Sequence, residues 1–359
     1  MEVTLMICSM LNIKYPIIQA GMAGGPTTPE LIAEVSEAGA LGTLGAGYLA
    51  PQQIKSALES IQKLTRSPIA VNLFLPETTD MDKDTILAMQ QQLNTYRKKL
   101  GIPEVHNIPK TENLFAKQLA TVIEAGVKIV SFTFDAPSKR LVEKLHASEI
   151  IVIATATSVE EAIHLESNGV DLIVAQGAEA GGHRGAFLSG GSESMIGTMA
   201  LIPQVVDAVS CPVVAAGGIM DGRGMAAALT LGASAVQLGT AFLTVKESGA
   251  NSIHKETILT SRDTDTKITR VFSGKSARGF KNEMMIDLER TVRDDVPPYP
   301  LQHFLTSDIR KEAAIQGDKE MMSMWAGQAS SLARESYASE LVRSLVDQCD
   351  TAFQKAPWR

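Results

Sequence analysis

Val174-Ala-Gln-Gly-Ala-Glu-Ala-Gly-Gly-His-Arg-Gly185 is an apolar strand that runs directly into a turn holding four glycines and one histidine. Gly177, Gly181, Gly182 and Gly185 permit backbone conformations and close approaches that a side chain would block. A ligand can therefore lie against the main chain with the titratable ring of His183 over it. A strand ending in such a loop is how a parallel α/β sheet presents a site at its carboxyl edge, and the chain on either side repeats the rhythm.

Upstream, apolar strand-type runs at 16–20, 40–44, 69–75, 129–134 and 150–155 alternate with helical patterns at 28–38, 51–65, 82–99, 112–125, 138–147 and 158–168. The opening strand spans 171–176; a helix at 198–209, a strand at 212–216, a helix at 222–231 and a strand at 235–239 follow. Eight strands with helical crossovers predict a closed (β/α)8 TIM barrel, an α/β fold, over residues 1–250. Residues 76–111, with Pro76, Pro103 and Pro109, exceed what a barrel needs between its third and fourth strands and read as an insertion. From about 250 the strand pattern stops. A Pro297-Pro298-Tyr299-Pro300 breaker and helical stretches at 308–316, 318–327 and 336–354 predict a smaller, mainly helical accessory domain over 251–359, packed near the barrel mouth with the insertion.

Composition narrows the function. The 359 residues are 45% hydrophobic and 20% charged, enough for a sizeable core without disulfides. A formal net charge of −7 argues against a nucleic-acid partner, which needs a basic face. Cys8, Cys211 and Cys349 are widely spaced and lie outside any Cys-x-x-Cys pattern, so no zinc or other metal site and no disulfide framework is indicated. Glu2 stands where a signal peptide would be basic, and no apolar run reaches the roughly 18 residues that span a bilayer. A cytoplasmic protein with no membrane partner is the expectation; nothing in the sequence sets its oligomeric state.

In barrels the working residues sit at the carboxyl ends of strands, with phosphate commonly held after the seventh and eighth. Here those ends are Gly217-Gly218 and Gly239-Thr240, whose backbone and hydroxyl can cradle a phosphate without a lysine. Gln19, Met22, Asn72, Gln176 and Gln237 stand at other strand ends, where a purely structural core would be apolar. Amides offer donors and acceptors to the edge of a heterocycle, and Met22 could pack on its face.

Four stretches together resemble the FMN-dependent nitronate monooxygenases, formerly 2-nitropropane dioxygenases: Pro16-Ile-Ile-Gln-Ala-Gly-Met-Ala-Gly24, the glycine-histidine loop, Ala215-Ala-Gly-Gly-Ile-Met-Asp221 and Gln237-Leu-Gly-Thr-Ala-Phe242. Phe272-Ser-Gly-Lys-Ser-Ala-Arg-Gly279 and Met324-Trp-Ala-Gly-Gln328 extend the resemblance, which is to the bacterial members, into the tail. The resemblance implies non-covalent FMN and oxidation of alkyl nitronates such as propionate 3-nitronate by molecular oxygen, to a carbonyl compound with nitrite or related nitrogen oxides. It implies FMN contacts at Gly21, Met22, Asn72, Gln176, Gly181, Gly218, Gln237, Leu238, Gly239 and Thr240, with His183 catalytic. His183, protonated or donating through one nitrogen, would hold the nitro oxygens, or it would remove the α proton of a neutral nitroalkane. Arg184 is expected to face solvent, and Tyr299 to close the substrate side. Two positions depart from the family: Gly21 replaces a frequent proline, and Asp135 a frequent glycine. An NADH-dependent flavin enoyl-ACP reductase, which shares the Glu-Ala-Gly-Gly-His core, and a catalytically silent FMN-binding protein are the alternatives.

Overall fold

Ile151-Val-Ile-Ala-Thr-Ala156 is buried along almost its whole length. A parallel strand is buried this way when helices cover one face and a closed interior the other. A computed structural model describes residues 2–77, 82–109, 112–188, 195–292 and 295–355. Its barrel strands are β1 (Ile17–Gln19), β2 (Gly42–Gly45), β3 (Ile69–Phe74), β4 (Ile129–Thr133), β5 (Ile151–Ala156) and β6 (Leu172–Gln176). After a two-residue strand outside the barrel, β7 (Gly182–His183), come β8 (Val213–Ala216) and β9 (Ala235–Leu238). The sheet order is β1-β9-β8-β6-β5-β4-β3-β2, with all these pairs parallel.

A bridge between Ile18 and Leu41 closes the remaining seam. There Gln19 N donates to Leu41 O and Leu41 N to Ile17 O, both at 2.9 Å. The ladder is short at this seam, and the fully buried Gln19 extends it: its Oε1 accepts from Thr43 N at 3.0 Å. The chain is thus a (β/α)8 barrel.

Side-chain alternation along the strands makes two cores. Ile18, Ala70, Ile129, Ile153, Val174 and Val214 fill the barrel interior, while Ile17, Val71, Val130, Val152, Ile173 and Val236 face the helices. The interior layer is completed by Ile7 and Leu11 of a helix at Glu2–Leu11, four residues apart on one helix face. The expected strand–helix rhythm starts at residue 16 and does not predict this plug.

The tail differs from expectation in two ways. Strands do not stop at 250: β10 (Thr266–Thr269) and β11 (Ala277–Phe280) form an antiparallel hairpin. β11 also pairs with β7, placing Ala277 opposite His183 and Arg278 opposite Gly182. Both strands have four residues and are polar or glycine-containing, so no apolar period announced them. The helix expected over 318–327 is a single 3-10 turn, Lys319–Met321. Beyond it the chain runs extended against β11, with Phe280 N donating to Met324 O at 2.9 Å.

The insertion's helix, Lys83–Leu100, starts at the Asp82 cap and ends at Gly101, whose φ is 72°. It docks on the tail helix Ser307–Gln316 through Arg97, which is 1% exposed. Arg97 pairs with Asp308 at 2.7 Å, and donates to Gln90 Oε1 and Leu305 O at 2.7 Å and Asn94 Oδ1 at 2.9 Å. Insertion and tail therefore pack as one layer. Among the described residues, no helix is long and apolar enough to cross a membrane.

Candidate active site

The carboxyl ends of the strands open into one cavity, and all eleven residues expected to contact FMN or to be catalytic line it: Gly21, Met22, Asn72, Gln176, Gly181, His183, Gly218, Gln237, Leu238, Gly239 and Thr240. At one end, β8 and β9 deliver bare backbone. Gly217 and Gly218 have φ of 111° and 71°, a conformation that disfavours any side chain. Gly239 differs: its backbone is ordinary, and a Cβ there would stand 3.7 Å from Ala20 Cβ and 3.8 Å from Met22 Sδ. Packing does not demand glycine at 239; the room kept there belongs to the cavity. Thr240 Oγ1 accepts from Gly327 N at 2.9 Å, which leaves its proton to donate elsewhere. The described lining holds no Lys, Arg, Asp or Glu.

At the other end, β7 holds His183 and the tail surrounds it. His183 Nε2 lies 2.8 Å from Ser273 Oγ, while Nδ1 has no hydrogen bond among the described residues. The rings of Trp325, Phe134 and Tyr299 stand 5.3, 5.5 and 5.9 Å from the imidazole. Burial, with Lys275 and Arg310 nearby, pushes the His183 pKa down to about 3. The ring is therefore neutral near pH 7, against the imidazolium that the sequence reading allowed. A second neutral histidine, His254, lines the cavity; burial lowers it to about 4, and its Nε2 donates to Trp325 O at 2.9 Å.

The amides are not equivalent. Gln237 makes no side-chain hydrogen bond among the described residues and faces the cavity free. Asn72 Nδ2 donates to Ser131 Oγ at 2.8 Å and Thr133 Oγ1 at 3.1 Å, which keeps only its carbonyl available. Gln176 is spent on the loop: Nε2 donates to His183 O at 3.0 Å, and Oε1 accepts from Gly185 N at 2.9 Å. Gln19 serves the barrel seam and does not line the cavity. Arg184 corrects the expectation of solvent exposure. It is 1% exposed, and its Nη1 donates to Gln176 O at 2.9 Å and Gly177 O at 2.7 Å, bracing the loop from behind.

Both departures from the family pattern have physical accounts. A Cβ at Gly21 would lie 2.6 Å from Asn72 Cβ, so this backbone excludes a side chain. Asp135 is exposed, and its Oδ1 accepts from Ala136 N at 2.7 Å, so it stays off the cavity. Its neighbour enters instead: Phe134, at φ 85°, turns its ring into the lining. Sequence reasoning missed Phe134, Tyr48, His254, Ser273 and Trp325. Ser273 and Trp325 sit in two of the stretches that carried the family resemblance, the one signal that could have found them.

The sequence pattern of the nitronate monooxygenase family matches residues 5–348. The chain belongs to this family. A probable nitronate monooxygenase of Staphylococcus haemolyticus (strain JCSC1435) is 49% identical over 344 residues, covering 95% of this chain and 96% of that one. Among solved structures, nitroalkane oxidase from Streptomyces ansochromogenes superposes with a TM-score of 0.88 at 36% identity, covering 97% of this chain and 99% of that one. FabK from Thermotoga maritima is also similar, with a TM-score of 0.77 at 28% identity over 98% of this chain and 97% of that one. The tail brings Ser273 and Trp325 against His183 in the candidate site.

Proposed function

We propose that this member of the nitronate monooxygenase family oxidises an alkyl nitronate such as propionate 3-nitronate with FMN and molecular oxygen, giving a carbonyl compound and nitrite or a related nitrogen oxide. The observation that carries this reading is the joining, in one cavity, of a glycine-walled end without charged side chains to a neutral histidine with an open ring nitrogen.

The residues present fit FMN. Gly218, Gly239 and the Thr240 hydroxyl would hold its phosphate, Gln237 and the Asn72 carbonyl would meet the ring edge, and Met22 would pack on the ring. When bound, FMN supplies the electron acceptor. The chain's own residues orient the substrate, exclude water and place a proton. Ser273 Oγ can accept from His183 Nε2–H while donating to Lys275 O at 3.2 Å, which leaves the Nδ1 lone pair toward the α proton of a nitroalkane, as a base weakened by the same burial that keeps the ring neutral. In the other tautomer, Ser273 donates to Nε2, and Nδ1–H is a donor for a nitronate oxygen. A nitronate has already lost the α proton, so positioning is the larger part of the task.

The test is the visible spectrum of the purified protein under anaerobic conditions, with propionate 3-nitronate in one cuvette and NADH in another. Loss of the oxidised flavin band with nitronate alone, restored by air, is the expected result. Bleaching by NADH alone would replace this reading with the reductase. A flavin band that neither reagent changes would leave a silent flavin-binding protein, and a colourless protein would remove the flavin argument.

A further inference from the structure

A neutral His183 brings no charge to an anionic substrate, so the cavity's attraction for an anion must come from elsewhere. Two cations bear on His183, Lys275 and Arg310. Lys275 Nζ is paired with Glu77 at 2.5 Å. Arg310, mostly buried on the helix Ser307–Gln316, has only neutral partners: Nε donates to Thr306 Oγ1 at 3.0 Å, Nη1 to Ser323 Oγ at 3.4 Å and Nη2 to His303 O at 2.9 Å. No described carboxylate lies within ion-pair distance of it. Asp308, two residues away, is held by Arg97. Asp308 and Tyr48 act on Arg310 only through space, so with no described carboxylate in contact the mostly buried guanidinium is under-compensated, and an anion in the neighbouring cavity would offset part of that cost.

The path to the cavity is short. Arg310 Nη2 lies 3.3 Å from His303 Nδ1. Because a guanidinium can only donate, the His303 proton is on Nε2. The His303 ring stacks on Tyr48 with centroids 4.2 Å apart and planes at 13°. Tyr48 lines the cavity; its buried hydroxyl makes no hydrogen bond of standard geometry among the described residues, although Tyr299 is close enough to influence its ionisation.

We propose that Arg310 is the positioning residue that makes the substrate end selective for anions, acting across His303 and the stacked Tyr48 without touching the substrate. For nitronates, this rests on the function proposed above.

The experiment uses the FMN-loaded enzyme and its Arg310→Gln and Arg310→Lys variants. Nitrite serves as an anionic probe read from its perturbation of the flavin band, alongside KM and kcat for propionate 3-nitronate and the FMN dissociation constant. Loss of the charge in Arg310→Gln is expected to raise the nitrite dissociation constant and the nitronate KM about tenfold. Its kcat and FMN affinity should stay within about threefold, and Arg310→Lys should stay near the parent. Equal behaviour of Gln and Lys, or unchanged nitrite affinity in Arg310→Gln, would overturn the proposal. So would loss of FMN binding in Arg310→Gln and in Arg310→Met with retention in Arg310→Lys, which would make the charge a folding requirement. The nitrite arm needs no turnover: a parent enzyme inert toward nitronate, with nitrite binding still dependent on the charge at 310, would sink the nitronate reading and keep this one.

Discussion

The two ends of the cavity are built by opposite means. At the glycine end, β8, β9 and the His183 loop present backbone, and what matters is the side chains that are missing. At the histidine end, Tyr48, Phe134, Ser273, Tyr299, His303, Arg310 and Trp325 converge from well-separated parts of the chain, and what matters is their charge and aromatic surface. On the function proposed above, the first end would hold the cofactor and the second would select and position the substrate. The contrast predicts that substitutions at the two ends leave different signatures. His183→Asn should lower turnover of nitronate and nitroalkane on the order of a thousandfold, the range of a lost acid–base or orienting group, while FMN affinity stays within about threefold. Steady-state kinetics beside fluorescence titration of FMN would check it. Nitronate turnover at the parent rate would break the division, because the histidine would then not contact the reacting group.

How much could be read from the sequence follows the same division. The barrel strands and the glycine pairs after β8 and β9 were legible because their signals are local: an apolar run, then glycines at a known place in a known architecture. The eleven residues expected to contact FMN or to be catalytic reached one cavity for that reason, whereas Gln19, read the same way, went to the barrel seam. The histidine end was not legible, because its contacts join residues far apart: Ser273 meets His183 across 90 positions, and His254 meets Trp325 across 71. Gln176 shows a subtler limit. An amide at a strand end reads alike whether it faces a ligand or ties down its own loop, and only the partners, His183 O and Gly185 N, decide between them. Arg184 was misjudged similarly, since a charged residue on a glycine turn is usually solvated. Here the carbonyls of Gln176 and Gly177 draw it inward.

Gly181 is where the two ends meet, so it offers the next sharpest test. A Cβ there would lie 2.5 Å from Ala326 C and 2.5 Å from Gly327 N, backbone atoms that cannot swing aside as a side chain tip can. Gly181→Val should push the segment 325–327 outward, break the 2.9 Å bond from Gly327 N to Thr240 Oγ1 and so disturb the glycine end first. The expected result is FMN affinity lowered by about ten- to a hundredfold and a stability cost of about 1–3 kcal/mol, measured by flavin titration and chemical denaturation. If affinity were retained while turnover fell, the tail would be serving the histidine end alone.

The smallest effect is one of pH, and it also belongs to one end. His183, His254 and His303 are held neutral, chiefly by burial, with pKa values lowered to about 3, 4 and 2, whereas the glycine end contributes no charged side chain to the described lining. A histidine whose folded pKa lies below its unfolded value of about 6.5 costs nothing above that pH, where neither state is protonated. Below it the unfolded chain takes up protons that the folded chain refuses, so stability falls as pH falls. Between pH 6.5 and 5 each such histidine costs up to about 2 kcal/mol, and carboxylates, which titrate lower, contribute little in that window. The melting temperature should therefore be flat from pH 8 to about 6.5 and then decline toward pH 5. His254→Asn and His303→Asn should each remove part of that slope, while Gly239→Ala leaves it intact. A melting temperature that rises on acidification through this window would mean that the folded chain binds the protons, and the histidine end would then be a charged site instead of a neutral one.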